Sequence, residues 1–199
     1  YYLNQVNGGI TKQVISMEDK YIVDFSVDYD NINNKLILVG LYGDKFRYRA
    51  NGFFYLHNGI IEFTEFDQQL FRDLEKNSKK RIVNLEDYVV ADMVLREDGG
   101  VLILLEMQRQ FSRRTNMVEG RRPYDVGAYM DYYHEDIIAL SVHPDGALHW
   151  RKILRKKQFS QDDGAAYSSF FVFKSPTELR IIYNDEIRQD NTVSEYIIN

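Results

Sequence analysis

Cysteine is absent from the 199-residue chain, which excludes disulfides, thiolate nucleophiles, Cys-ligated zinc and iron–sulfur clusters and leaves the redox compartment undetermined. Proline is scarce, at three residues, and no tract is of low complexity. With 44% hydrophobic and 14% aromatic residues, the composition is that of a globular chain and not a disordered one. No apolar run approaches the ~18 residues of a membrane-spanning helix, and the sequence does not open on a charged-then-apolar segment. It opens on Tyr1 and not on Met, from which a preceding segment is expected. Basic residues do not dominate. The balance of 25 Lys and Arg against 30 Asp and Glu gives a net charge of −5 and a pI near 5.4, which weighs against nucleic acid as a partner. The length suits one domain or two small ones, and a compact fold of this size removes roughly 70% of the surface that its unfolded chain exposes.

What is present is alternation. Tyr21 to Asp30 places Tyr21, Val23, Phe25, Val27 and Tyr29 on one parity and Asp24, Ser26 and Asp28 on the other, which predicts a strand with one buried face. Asn31, Asn33 and Asn34 supply a turn, and the near-continuous apolar run Lys35 to Tyr42 returns as a buried strand. Gly52 to Leu56 and the run ending at Phe66 flank His57-Asn58-Gly59, a strong hairpin signal. From Asp67 the period changes. Leu70, Phe71 and Leu74 share a helical face, Asp67 is placed to cap, and Lys76, Lys79 and Lys80 suit the far end, so one short connecting helix is expected.

The chain also resembles itself. Tyr88 to Glu106 repeats the layout of Tyr21 to Gly40, and Asp136 to Trp150 repeats Gly52 to Phe63, with Pro144-Asp145-Gly146 as the turn. A third copy runs from Tyr167 to Asp185, its second half missing or reduced to Ser194–Asn199. The expected fold is all-β: tandem four-stranded antiparallel meanders in blade-like units over 21–66, 88–153 and an incomplete 167–199, together one propeller-like domain. Two and a half units fall short of the ~4 blades that close a propeller, so the expectation is a partial propeller belonging to a longer chain. A plain β-sandwich is the alternative.

Gly146 to Phe170, followed by Glu178 to Asp185, resembles a recurring element of exported Bacteroidota proteins. In that element a strand ending in Gly-x-x-x-Trp leads through a basic, Gln-containing connection and an acidic corner to a Ser-Ser-aromatic strand and an Asn-Asp turn. The resemblance implies an extracytoplasmic, propeller-like protein of the cell envelope: periplasmic, at the outer-membrane surface or secreted. It brings no catalytic residue.

Motifs for chemistry are few. His57, His134, His143 and His149 lack metal-ligand spacing. The stretch Asp28 to Asn34 begins like a calcium loop but has Asn33 where Gly is needed and Val39 where Glu should close the cage, so it reads as a turn. Gly-x-Ser-x-Gly is absent and Ser168-Ser169 is expected within a strand, while Gly8-Gly9 and Gly99-Gly100 lack the Lys and helix start of a phosphate loop. No metal, cofactor or catalytic residue is therefore assigned. Acids that could serve a propeller glycoside hydrolase or carbohydrate-binding site, the alternative function, are Glu106, Asp131, Glu135, Asp136, Asp162 and Asp163; their spacing selects no pair.

Charge is segregated. Arg109, Arg113, Arg114, Arg121 and Arg122 fall in a stretch expected to be one long loop, Gln108 to Tyr133, which ends in Tyr124, Tyr129, Tyr132 and Tyr133. A second basic run, Arg151, Lys152, Arg155, Lys156 and Lys157, follows Trp150. Tyr and Arg are enriched at protein interfaces, and long loops in compact domains are usually functional or disordered. The reading is a non-catalytic binding or scaffold module with a protein partner, with contact to envelope lipid or glycan left open.

Overall fold

The structure is a computed structural model, and it describes residues 12, 14–44, 49–76, 81–114, 128–175, 177–187 and 190–199. In chain order its elements are β1 (Tyr21–Asp30), β2 (Lys35–Gly43), β3 (Arg49–Ala50), β4 (Gly52–His57), β5 (Ile60–Glu65), α1 (Gln68–Glu75), β6 (Leu85–Glu86), β7 (Tyr88–Leu95), β8 (Val101–Arg114), β9 (Ala128–Val142), β10 (Leu148–Gln161), β11 (Phe171–Lys174), β12 (Leu179–Ile187) and β13 (Asp190–Ile198). The fold is mostly β, and every strand pairing is antiparallel. Three meanders carry it: β1-β2-β4-β5, β7-β8-β9-β10 and β11-β12-β13, with β3-β6 as a small fourth sheet.

Local sequence accounts for the corners. Asn58 and Gly59 adopt φ of 49° and 81°, the doubly left-handed turn that matches strand twist and that Asn-Gly tolerates best. In the β1–β2 corner, Asp30 accepts from the backbone of Ile32 and Asn33 and from the Asn33 amide, so the stretch that begins like a calcium loop is a self-bonded turn. These bonds, led by that from the Asn33 backbone, hold the Asp30 carboxyl below its ordinary range against the opposing effect of burial. Asp67 caps α1 by accepting from the amide of Leu70 at 2.8 Å, and Arg151 grips both oxygens of that same carboxylate at 2.7 Å each. The helix is thereby fastened to β10 while Leu70 and Leu74 bury beneath it.

The three meanders stack face on face. Ile37, Val39, Leu41, Phe53 and Tyr55 of the first sheet pack against Met93, Ile103, Leu105, Ile138 and Leu140 of the second. The opposite face of the second sheet, with Leu102, Leu104, Ile137, Ala139 and Leu154, receives Ile181, Val172, Leu179 and Tyr196 of the third. The middle sheet is thus covered on both sides, which is why its two central strands read as aliphatic runs over Val101–Leu105 and Ile137–Leu140 and not as alternation. The first interface is also hydrogen-bonded: Asp24 accepts from the amide of Val90, and the Lys35 ammonium donates to the carbonyl of Gly99 at 2.7 Å.

Four expectations need correction. The apolar parity of β1 is buried only in part: Val23 packs against the core at a register shift, but Tyr21, Phe25 and Val27 are about half exposed, and Asp24 on the other parity bonds the amide of Val90 in the second sheet. The stretch Gln108 to Tyr133 is not one loop, since Gln108–Arg114 continue β8 and 128–133 belong to β9; ion pairs between the two strands supply the cohesion that apolar residues supply elsewhere. The basic residues after Trp150 lie in β10, which carries the second sheet to Gln161 and not to 153. The third sheet opens at Phe171, whereas Tyr167 and Ser168-Ser169 sit in the turn before it, with φ of 60° at Ala165 and 72° at Ser169. Ser194–Asn199 falls mostly within β13, a full strand of this sheet.

Candidate interaction surface

The second sheet projects beyond its neighbours as a three-stranded arm, and side-chain chemistry changes where the arm begins. The register of β8 with β9 shifts between Glu106 and Gln108, and that of β10 with β9 shifts between Leu154 and Lys157. The additional residues lie in β9 around Glu135-Asp136 and in β10 around Arg155-Lys156, so two bulges face each other and bend the sheet there. Beyond them, cross-strand partners define two faces. One carries Arg109 opposite Tyr133, Phe111 opposite Asp131, Arg113 opposite Tyr129, and Phe159 opposite Tyr133. The other carries Gln108 opposite His134 and Gln110 opposite Tyr132, with Gln158 and Ser160 alongside.

On the first face three rings form a stripe across all three strands. Phe111 and Tyr133 meet edge to face at 5.9 Å, and Tyr133 and Phe159 meet at 5.1 Å. Phe111 is 51% exposed, Tyr129 44% and Phe159 39%, so the stripe is open. Ion pairs frame it. Arg113 grips the Asp131 carboxylate through two nitrogens, and Gln161 donates to the same group at 2.9 Å. The Arg113 hydrogen bond is the largest influence lowering the Asp131 pKa, ahead of burial, which opposes it. Arg109 pairs with Glu135 at 2.8 Å.

The structure therefore brings Arg109, Arg113, Tyr129 and Tyr133 to one surface and puts Tyr132 on the reverse side. Arg114 is placed in β8 by its backbone. Arg121, Arg122 and Tyr124 lie outside the described residues. Sequence reasoning missed Phe111 and Phe159, although each lies at the alternation that continues its strand.

At the base of the reverse face is a buried polar cluster. Glu106 and Lys156 are both fully enclosed, with the ammonium 2.6 Å from Oε1. Oε2 accepts from Gln108 at 2.7 Å and Ser169 at 2.7 Å and lies 3.2 Å from Nδ1 of His134. Lys156 also donates to Gln158 at 2.6 Å and to the carbonyl of His134 at 3.2 Å. Gln158 then donates to the carbonyl of Asn184 and accepts from the amide of Ser169. The cluster joins three strands of the second sheet to the turn and strand of the third. Burial pushes the Glu106 carboxyl up, but the bonds from His134, Lys156 and Ser169 together with the Lys156 charge outweigh it and bring the pKa down to about 2. Burial lowers the Lys156 pKa, and Glu106 only partly restores it.

The other acids considered for a glycan funnel are likewise engaged. Asp136 pairs with Arg155, Asp162 accepts from the amide of Met130 and Asp163 from that of Ala165. His143 and His149 lie with ring centroids 4.4 Å apart, but no group of three or more potential metal ligands occurs among the described residues. Among these residues no helix is long and apolar enough to cross a membrane. A scan against protein-family models matches no family, and searches of curated proteins and of solved structures return no match.

Proposed function

We propose that this chain is a non-catalytic binding or scaffold module that captures a protein partner on the open face of the β8–β10 arm. The observation that carries the reading is the Phe111–Tyr133–Phe159 stripe: aromatic side chains held on a sheet, with Phe111 and Phe159 exposed on either side of the partly buried Tyr133 and arginines alongside already oriented by Asp131 and Glu135. Such anchors lose little conformational entropy on binding and dominate interface energetics. The test uses substitutions, because excising 108–133 would remove parts of two strands. Phe111→Ser, Tyr133→Ser and Phe159→Ser together are expected to weaken capture by about a hundredfold or more, with circular dichroism unchanged. Capture at undiminished affinity would remove the proposal.

The setting we propose is an exported, propeller-like protein of the Bacteroidota envelope in which the three stacked sheets are consecutive blades. Support comes from the two ends of the stack. Val27, Leu38, Leu56 and Ile61 lie in one line across the outward face of the first sheet, and Phe171, Phe173, Val193 and Ile197 are exposed on the outward face of the third. Apolar faces of this kind mark contact with further structure, and additional sheets of the same kind would cover both. Fractionation of the producing cell that leaves the protein in the cytoplasm would overturn the placement.

A further inference from the structure

A cleft of about 480 Å³ opens between β10, the 162–170 turn and the third sheet. Its volume lies in the range of small-ligand sites. Gln158, Ser160, Asp163, Tyr167, Asn184 and Asp185 line it together with Phe159, and among the described residues no lysine or arginine does. The hydrogen bonds already formed leave its polarity lopsided. Ser160 and Ser168 bond each other, the Asn184 amide nitrogen donates to the carbonyl of Tyr167, and Thr192 donates to the carbonyl of Asp185. Asp163 spends Oδ1 on the amide of Ala165, and Asp185 spends Oδ2 on Ser194. Oδ2 of Asp163, Oδ1 of Asp185 and the amide oxygen of Asn184 have no partner among the described residues. The unspent capacity is thus chiefly acceptor and carries negative charge, while Tyr167, 76% exposed, stands at the rim with its ring open.

We propose that this cleft binds an alkylammonium group, as carried by a lysine side chain or a polyamine. An ammonium offers three donors and no acceptor, which matches the surplus, and a tyrosine face attracts the same cation. Anionic ligands are repelled by both carboxylates, and a neutral sugar would need donors that the cleft has largely committed. The walls are set before binding: Gln158 is fixed by Lys156, Ser169 and Asn184, and Ser169 is held at a φ of 72° by the Glu106 carboxylate below it. A preformed site avoids the entropic cost of ordering.

Isothermal titration of the intact chain with a trilysine peptide, with putrescine and with maltotriose tests the inference. Binding of trilysine, of putrescine or of both at a Kd of about 1 mM or tighter is expected, with no heat from maltotriose; which of the two amines binds distinguishes a side chain from a free polyamine. Asp163→Asn with Asp185→Asn should weaken it by about tenfold or more, since the amide oxygens can still accept from Ala165 and Ser194. Tyr167→Leu, at an exposed position, should weaken it independently and keeps the test decisive if the double variant is unstable. Absence of amine binding, preference for maltotriose, or amine binding unchanged in both variants would overturn the proposal. Phe111→Ser, on the arm and outside the residues that line the cleft, should leave it intact, so its failure is separable from that of the partner surface.

Discussion

Replacing Lys156 with methionine is expected to cost about 3–5 kcal/mol, because the substitution leaves Glu106 charged, enclosed and without its counter-ion. In a chain of this size that corresponds to a fall in Tm of roughly 6–20 °C. The hydrogen bonds from Ser169, Gln108 and His134 remain, but none of them alone neutralises the carboxylate. Adding Glu106→Gln removes the charge and keeps an acceptor for Ser169, so the double variant should recover at least half of the loss. Urea unfolding of the two variants and the parent measures this; a single variant within about 1 kcal/mol of the parent would show that the pair contributes little. Acid supplies the complementary measurement. The Glu106 carboxyl sits near 2 in the folded chain, against an ordinary value of 4.5, so its contribution is fully present above 4.5 and is lost as pH falls through about 2. Without the Lys156 charge the folded value rises toward the ordinary one, and the acid-unfolding midpoint of Lys156→Met should move to higher pH.

Ile181→Ala is the second large expectation. Ile181 is the fully buried side chain that the third sheet contributes to its contact with Leu102, Leu104, Ile137 and Ala139. Truncation forfeits about 2–5 kcal/mol through lost transfer and the cavity left behind. The loss should be felt locally, because the third sheet rests on the second through this cluster, the Gln158 bond to Asn184 and a bond from Tyr196 to the carbonyl of Arg155. Hydrogen exchange is expected to accelerate over 171–198 while the strands Val101–Arg114 and Ala128–Val142 keep their protection. Uniform acceleration along the whole chain would mean that the three sheets unfold as one unit.

Much of this architecture is legible in the residues. Period-two alternation, the Asn58-Gly59 turn and the Asp67 cap are local signals, and each sits where local chemistry requires it. The illegible parts depend on neighbours distant in sequence. Which face of β1 is covered is decided by the second sheet, 66 residues on, through Asp24 and Val90. The arm reads as a loop because Gln, Arg and Ser dominate 108–114, and its strands are held by pairing partners such as Asp131 and Glu135 that no local pattern announces. Glu106 left a usable trace: it shares parity with Leu102 and Leu104 and so had to face the same buried side. Its counter-ion Lys156 follows Leu154 by the same step of two, yet a run of basic residues disguised the one that turns inward.

The opposed bulges at Glu135-Asp136 and Arg155-Lys156 have a mechanical corollary. A strand slipping by one residue would reverse every side chain beyond the slip, exchanging Phe111 or Phe159 for glutamine or serine and Tyr133 for tyrosine or histidine. Interlocked irregularities on adjacent strands act as a peg in a slot against that sliding. The distance at which the arm holds its rings from the body of the molecule is therefore fixed like a ruler's length, and a bound partner would be kept at a constant standoff.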